Sequence, residues 1–203
     1  MATEIELKMD IAVGEIPALL SHPLLAGQPS TRLQLENTYF DTPDRQIQAK
    51  NMGLRTRFDG SGWLQTLKRK GDATDGLHIR DEWEVAIDDN RLEIPKFAQA
   101  GASAQIIAWL GGLTLIPLFT TRFERQCWLL EQRRTRVELV LDQGEVSAAG
   151  QVAKPLCEIE LELKQGDLDG LQRVLEQLRA AVKLTPSDIS KAARGYRLID
   201  GQE

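Results

Sequence analysis

Residues 4–8 read Glu-Ile-Glu-Leu-Lys and residues 158–162 read Glu-Ile-Glu-Leu-Glu, two runs in which charged and aliphatic side chains alternate without a break. Successive side chains of a β-strand point to opposite faces. Glu4, Glu6 and Lys8 therefore share one face with Ile5 and Leu7 behind them, and Glu158, Glu160 and Glu162 share another with Ile159 and Leu161 behind. The same segregation recurs in Arg55 and Arg57, in Lys68 and Lys70 behind Thr66, and in His78, Arg80, Glu82 and Glu84. Each aliphatic face needs a partner surface. Each charged face sets like charges side by side, which is unfavourable unless counter-charges meet them. One such strand alone is a strand solvated on its charged side. Several together predict a closed antiparallel β-barrel that gathers the charged faces inward.

The rest of the chain fits that architecture. Period-2 segments bounded by turn residues predict strands over residues 2–10, 33–40, 54–58, 63–70, 77–87, 118–130, 136–141 continuing through 144–147, and 156–164. Gly60-Ser61-Gly62 marks a hairpin turn, and residues 71–76 form a loop. Helical pattern falls in three places: a short stretch at 16–25 broken by Pro17 and Pro23, set to run over a barrel mouth; a mixed apolar stretch at 94–110; and residues 168–182, with Asp167 as N-cap.

The 203 residues hold 42% hydrophobic residues, enough for the core of a single domain. A net charge of −5 with no basic block speaks against non-specific nucleic-acid or membrane-surface binding. Cys127 and Cys157 have no C-x-x-C spacing and read as buried free thiols of a reducing compartment. Charged residues at Glu4, Glu6 and Lys8 and the lack of any long apolar run show neither a signal peptide nor a membrane span, so a cytoplasmic protein is expected. His22, beside Pro23, reads as a surface residue, and the four tryptophans as core or rim. His78 leads into a charged strand without a second histidine or nucleophile in pattern, so a His-based triad is not expected. Neither G-x-S-x-G, a Walker-type Gly-Lys motif nor G-x-G-x-x-G occurs.

Unpaired charge is costly once removed from water, so an interior of this kind calls for both a cation and an anion. Carboxylates from two different strands suit a hard divalent cation, Mg²⁺ or Mn²⁺, which prefers oxygen and keeps waters beside phosphate. Arginines grip phosphate oxygens in a fork and lysines act as point charges, so the cationic strands suit a polyphosphate.

In order along the chain, these residues resemble the CYTH or triphosphate tunnel metalloenzyme family. The resemblance rests on E-x-E-x-K at Glu4, Glu6 and Lys8; R-x-R at Arg55 and Arg57; Lys68 after Thr66-Leu67; R-x-E-x-E at Arg80, Glu82 and Glu84; Arg125; Asp142 before Gln143-Gly144; E-x-E-x-E at Glu158, Glu160 and Glu162; and Ser-Lys-Ala-Ala-Arg-Gly-Tyr at 190–196. It covers nearly the whole chain and implies an eight-stranded antiparallel tunnel closed by helices, as one domain over residues 1–203. Within the family the chain is most similar to the catalytic part of bacterial inorganic triphosphatases, without the helical phosphate-associated domain that often follows.

The resemblance implies that Glu4, Glu6, Glu158 and Glu160 place the metal, with Glu162 and Asp142 as further ligands or water-positioning carboxylates. Lys8, Arg55, Arg57, Lys68, Arg80, Arg125 and Lys191 would hold phosphates, with Arg194 beside them, and Glu4, Glu6, Lys8 and Glu160 would be the catalytic residues. The expected substrate is inorganic triphosphate or another small triphosphate, and the expected state a monomer or weak homodimer. Class IV type adenylyl cyclase, thiamine triphosphatase and a non-catalytic polyphosphate-binding module are the alternatives.

Overall fold

The computed structural model describes residues 2–69 and 71–202, so Lys70 lies outside the described residues. Ten strands follow one another as β1 Ala2–Ile11, β2 Ser30–Asp41, β3 Met52–Phe58, β4 Trp63–Arg69, β5 Asp72–Thr74, β6 Leu77–Ile87, β7 Ile116–Gln132, β8 Thr135–Ala148, β9 Lys154–Gln165 and β10 Leu184–Pro186. Helices are α1 Ile16–Leu20, α2 Gln46–Ala49, α3 Ala104–Gly111, α4 Leu168–Arg179 and α5 Lys191–Ile199, with 3₁₀ turns at Val13–Glu15 and Ile94–Ala98.

Eight of the strands close on themselves in the order β1-β9-β8-β7-β2-β3-β4-β6, with β6 returning to pair β1. Every pairing is antiparallel. The short β5 and β10 flank the barrel on β6 and β1. Full closure leaves the eight barrel strands no free edge and gives them one face inside and one outside.

The aliphatic faces are the outer ones. Leu7, Met9 and Ile11 of β1 pack with Leu139 and Leu141 of β8 and Ile159 and Leu161 of β9 under α1 and α4. The spine of α4 that meets them, Leu171, Val174, Leu175 and Leu178, recurs at helical spacing, and the Asp167 carboxylate caps the helix by accepting from Gly170 N at 2.7 Å. A second outer cluster joins Leu54, Leu67 and Trp83 of β3, β4 and β6 to Ile47 of α2 and to Phe97 and Leu110 of the 94–111 region.

The expected helix over 94–110 is two pieces. The 3₁₀ turn ends at Ala98, the backbone leaves the helical region at Gly101 with a φ of 81°, and α3 starts again after its N-cap Ser103, whose hydroxyl accepts from Ile106 N. The expected 168–182 helix stops at Arg179. Residues 71–76, read as a loop, contain β5, and α2, β10 and α5 were not foreseen. His22 is buried, its Nε2 on the Gln177 carbonyl at 3.1 Å and its Nδ1 accepting from Leu24 N at 3.2 Å, which ties the α1 turn to α4. Cys127 and Cys157 are free and half-buried. No helix among the described residues is long and apolar enough to cross a membrane.

The interior is not uniformly charged. Tyr39, Phe119 and Val146 form an apolar patch with Tyr196 and Leu198 of α5, and Leu35, Phe123 and Leu156 form another on the inward side. α5 seats so closely that a Cβ added to Gly195 would lie 2.0 Å from the Phe119 ring. The Tyr196 hydroxyl donates to buried Asp41 at 2.7 Å and anchors the helix there.

Candidate functional site

The inward faces meet around a cavity of about 780 Å³. Its lining includes Glu4, Glu6 and Lys8 of β1, Arg55 and Arg57 of β3, Lys68 of β4, Arg80, Glu82 and Glu84 of β6, Arg125 of β7, Glu160 and Glu162 of β9, and Lys191 of α5. Asp142 and Glu158 lie beneath this lining, wholly buried, and Arg194 stands behind them, on Asp10 at 2.5 Å and 3.5 Å from Glu158. All the residues singled out in the sequence for metal and phosphate, dispersed from position 4 to position 194, thus converge on one place.

Register explains the convergence. β1 lies between β6 and β9, with Glu4 opposite Arg80, Glu6 opposite both His78 and Glu162, and Lys8 opposite Glu160. On the next strands Glu138 faces Glu162, Asp142 faces Glu158, and Arg125 faces Asp142. Because directly opposed side chains on one face lie about 5 Å apart, the barrel sets carboxylates against carboxylates on one side and against cations on the other.

Two groups of ion pairs result. Glu4 accepts from Lys68 Nζ at 2.8 and 2.9 Å and from Arg80 Nε at 2.8 Å, while the other arm of Arg80 reaches Glu6. Deeper in, Arg125 holds Asp142 in a fork at 2.7 Å on both oxygens and reaches Glu160 at 3.0 Å. Lys191 contacts Asp142, Glu158 and Glu160 at 2.7, 2.5 and 2.9 Å, and Lys8 joins Glu158 at 2.5 Å and Glu160 at 3.3 Å.

The titration behaviour follows from these contacts. Burial opposes ionisation of Glu4, but Lys68 and Arg80 outweigh it and hold its carboxyl at about 2. For Glu6 burial is reinforced by the nearby charges of Glu160 and Glu4, and the group is pushed up to about 7. Glu162 is raised by burial, with Glu4 and Glu138 adding to it against the pull of Lys164. Glu160 and Asp142 are held low in spite of burial, the first by Lys191, Lys8 and Arg125, the second by Arg125 and Lys191. Arg57 is lowered to about 10 by burial and by its neighbours Arg55 and Arg125. Glu6 and Glu162, opposite each other, are thus both raised even though Arg80 contacts the one and Lys164 lies 2.8 Å from the other.

Asp142, Glu158 and Glu160 each bring an oxygen within 4.8 Å of the others, a spacing that a metal ion can bridge. Several lining residues went unmarked in the sequence. Lys164 continues the face of Glu158, Glu160 and Glu162, and Glu138 alternates with Val137 and Leu139, so the period-2 rule had the means to find both. Tyr39, an uncharged residue between Thr38 and Phe40, gave no such signal. His78 lines the cavity with its Nε2 on the Ser187 carbonyl at 3.0 Å, and burial lowers its pKa.

A closed eight-stranded antiparallel barrel with opposed carboxylates and cations around an internal cavity defines a charged-tunnel fold. The CYTH domain matches residues 2–196, and the chain belongs to that family. It is 36% identical over 201 residues, 98% of its length, to an inorganic triphosphatase of Haemophilus influenzae, and spans 55% of that relative's length. Among solved structures, a Hippeastrum adenylyl cyclase candidate described as having a dominant triphosphatase activity superposes with a TM-score of 0.67 at 19% identity, covering 98% of this chain and 97% of that one. A Bacillus halodurans protein described as an adenylate cyclase candidate gives 0.56 at 20% identity, covering 96% and 98%. At these identities the two structures establish the shared fold.

Proposed function

We propose that this chain hydrolyses inorganic triphosphate to diphosphate and phosphate with a bound divalent cation, Mg²⁺ or Mn²⁺. The observation that carries the reading is the pairing in one cavity of Glu6 and Glu162, both held above the ordinary carboxylate value although Arg80 contacts the one and Lys164 the other, with the cationic groups Arg55, Arg57, Arg125, Lys8, Lys68, Arg80 and Lys191. The similarity to an inorganic triphosphatase supports it.

A hard dication fits the carboxylate set. Glu4, Glu6, Glu160 and Glu162 face the cavity and would hold it, and Asp142 and Glu158 with Glu160 offer a further oxygen cluster once Lys8 and Lys191 turn toward phosphate. When bound, the metal would supply charge neutralisation and acidify a coordinated water. The protein's part is positioning. Arg55 and Arg57 offer guanidinium donors to non-bridging oxygens, Arg125, its fork on Asp142, adds its charge beside them, Lys8, Lys68, Arg80 and Lys191 neutralise the charge that builds on the leaving diphosphate, and a carboxylate orients the attacking water. No covalent intermediate is needed.

The test is phosphate release by purified protein from triphosphate, ATP, thiamine triphosphate and pyrophosphate with each metal. Triphosphate turnover that drops on the order of 10²-fold in Glu4→Gln and in Arg57→Ala is expected. Unchanged turnover in both variants refutes the assignment, and cyclic AMP from ATP would identify a cyclase instead.

A further inference from the structure

Tyr39 of β2 lines the cavity directly across the strand pair from Arg55. Its ring is stacked on Phe119 at 4.6 Å and 17°, and Phe119 meets Tyr196 edge-on at 5.3 Å, so the phenol is fixed from behind by α5. The side chain is buried, and the charged groups that face it are Arg55, Lys191 and Arg57.

All three of those groups are hydrogen-bond donors and none can accept. Arg55 lies within hydrogen-bonding reach and can take only a lone pair of the phenol oxygen. The phenolic proton therefore has an acceptor in none of these neighbours. Arg55 is in a similar position, and so is Arg57 apart from its Nε, which donates to Asn37 Oδ1 at 2.9 Å. Among the described residues neither forms an ion pair with a carboxylate, whereas Lys8, Lys68, Arg80, Arg125 and Lys191 each do, and the Nε of Arg55 is buried without a hydrogen-bond partner. This corner of the cavity is a recess of unspent donors.

We propose that Tyr39 is a substrate-binding residue whose hydroxyl donates to a non-bridging phosphoryl oxygen held by Arg55 and Arg57. The inference rests on the reading of the cavity as a phosphate cradle and adds to it a neutral, rigidly backed donor. Burial opposes ionisation of the phenol, but Arg55, Lys191 and Arg57 lower its pKa below the ordinary value, which makes its proton a stronger donor toward an oxyanion.

Tyr39→Phe keeps the stack on Phe119 and removes only the hydroxyl. Steady-state hydrolysis of triphosphate is expected to show KM raised on the order of ten-fold, with most of the loss in KM rather than kcat and the thermal midpoint unchanged. Calorimetric titration with triphosphate is read alongside. An unchanged KM and Kd in folded Tyr39→Phe overturns the proposal. So does a lowered midpoint with unaltered affinity, which would make the residue a packing element; Tyr39→Leu, which loses the stack as well, shows the size of that packing effect. If the wild-type protein binds triphosphate without cleaving it, the proposed hydrolysis fails while the comparison of Kd values still decides the role of Tyr39.

Discussion

Glu4 and Glu6 sit two residues apart on one face of β1 and touch the same arginine, yet their replacement by glutamine should move stability in opposite directions. Glu6 is displaced from 4.5 to about 7, which at about 1.4 kcal/mol per pH unit makes its ionised form a cost of roughly 3 kcal/mol to the metal-free fold. Glu4 is displaced from 4.5 to about 2, so its ionised form contributes stability of similar size, roughly 3 kcal/mol. Their side chains are 9% and 3% exposed, so solvent screening removes little of either effect. Glutamine at position 6 still offers Arg80 an oxygen and drops the repelled charge, whereas glutamine at position 4 gives up its charge attraction to Lys68 and Arg80. In urea or thermal unfolding at pH 8 with chelator, Glu6→Gln is expected to raise the midpoint on the order of 5–10 °C and Glu4→Gln to lower it by a comparable amount.

The pH dependence gives each variant a separate signature. The raised pKa of Glu6 means that its cost is absent below about pH 4.5 and complete above about pH 7, so the gain from Glu6→Gln shrinks as pH falls through that window. The lowered pKa of Glu4 means that its contribution is complete above about pH 4.5 and is lost as pH falls toward 2, so the loss from Glu4→Gln persists at pH 5. Two variants that shift the midpoint the same way, or a Glu6→Gln gain that does not vary with pH, would refute the electrostatic reasoning.

Other consequences follow from the same network. With the cavity lysines and Arg125 tied to carboxylates, saturating Mg²⁺ or Mn²⁺ should tighten triphosphate binding by ten-fold or more in calorimetry, and triphosphate should tighten metal binding by the same factor. Chelation should abolish turnover and remove the stabilisation that excess metal confers, about 2.7 kcal/mol at a concentration 100 times its Kd. Gly195→Ala drives a methyl into the Phe119 ring, which Tyr39 and Tyr196 hold in place, and should destabilise by ~1–3 kcal/mol in chemical denaturation. Tyr196→Phe leaves Asp41 with its backbone donors but without the hydroxyl, and should cost ~1–3 kcal/mol in the same assay while loosening α5.

The barrel was legible because its most informative strands are unambiguous in period. Glu4 to Lys8 and Glu158 to Glu162 can hide their leucines and isoleucines only if the acidic sides face elsewhere, and the structure places those sides on the cavity or just beneath its lining. What escaped was structure whose cause lies in tertiary contact. α5 is short and rich in small and charged residues, and it is fixed by Tyr196 on Asp41 and Gly195 on Phe119, partners more than 70 positions away. β10 is three residues paired to the end of β1, Met9 to Ile11, that runs past its pairing with β6. His22 looked like loop surface because its burial depends on α4 folding back over it. The same holds in the site: the sequence names which residues carry charge, but that Asp142 and Glu158 sit beneath the cavity while Glu6 and Glu162 oppose each other is a matter of register.

The central claim is that the opposed carboxylates and the cationic ring act together on one short polyphosphate. Phosphorus NMR of inorganic triphosphate incubated with the purified protein tests it most directly. Equal amounts of diphosphate and orthophosphate, appearing with Mg²⁺ or Mn²⁺ and ceasing on chelation, are predicted; an unchanged triphosphate spectrum in the presence of either metal would contradict it.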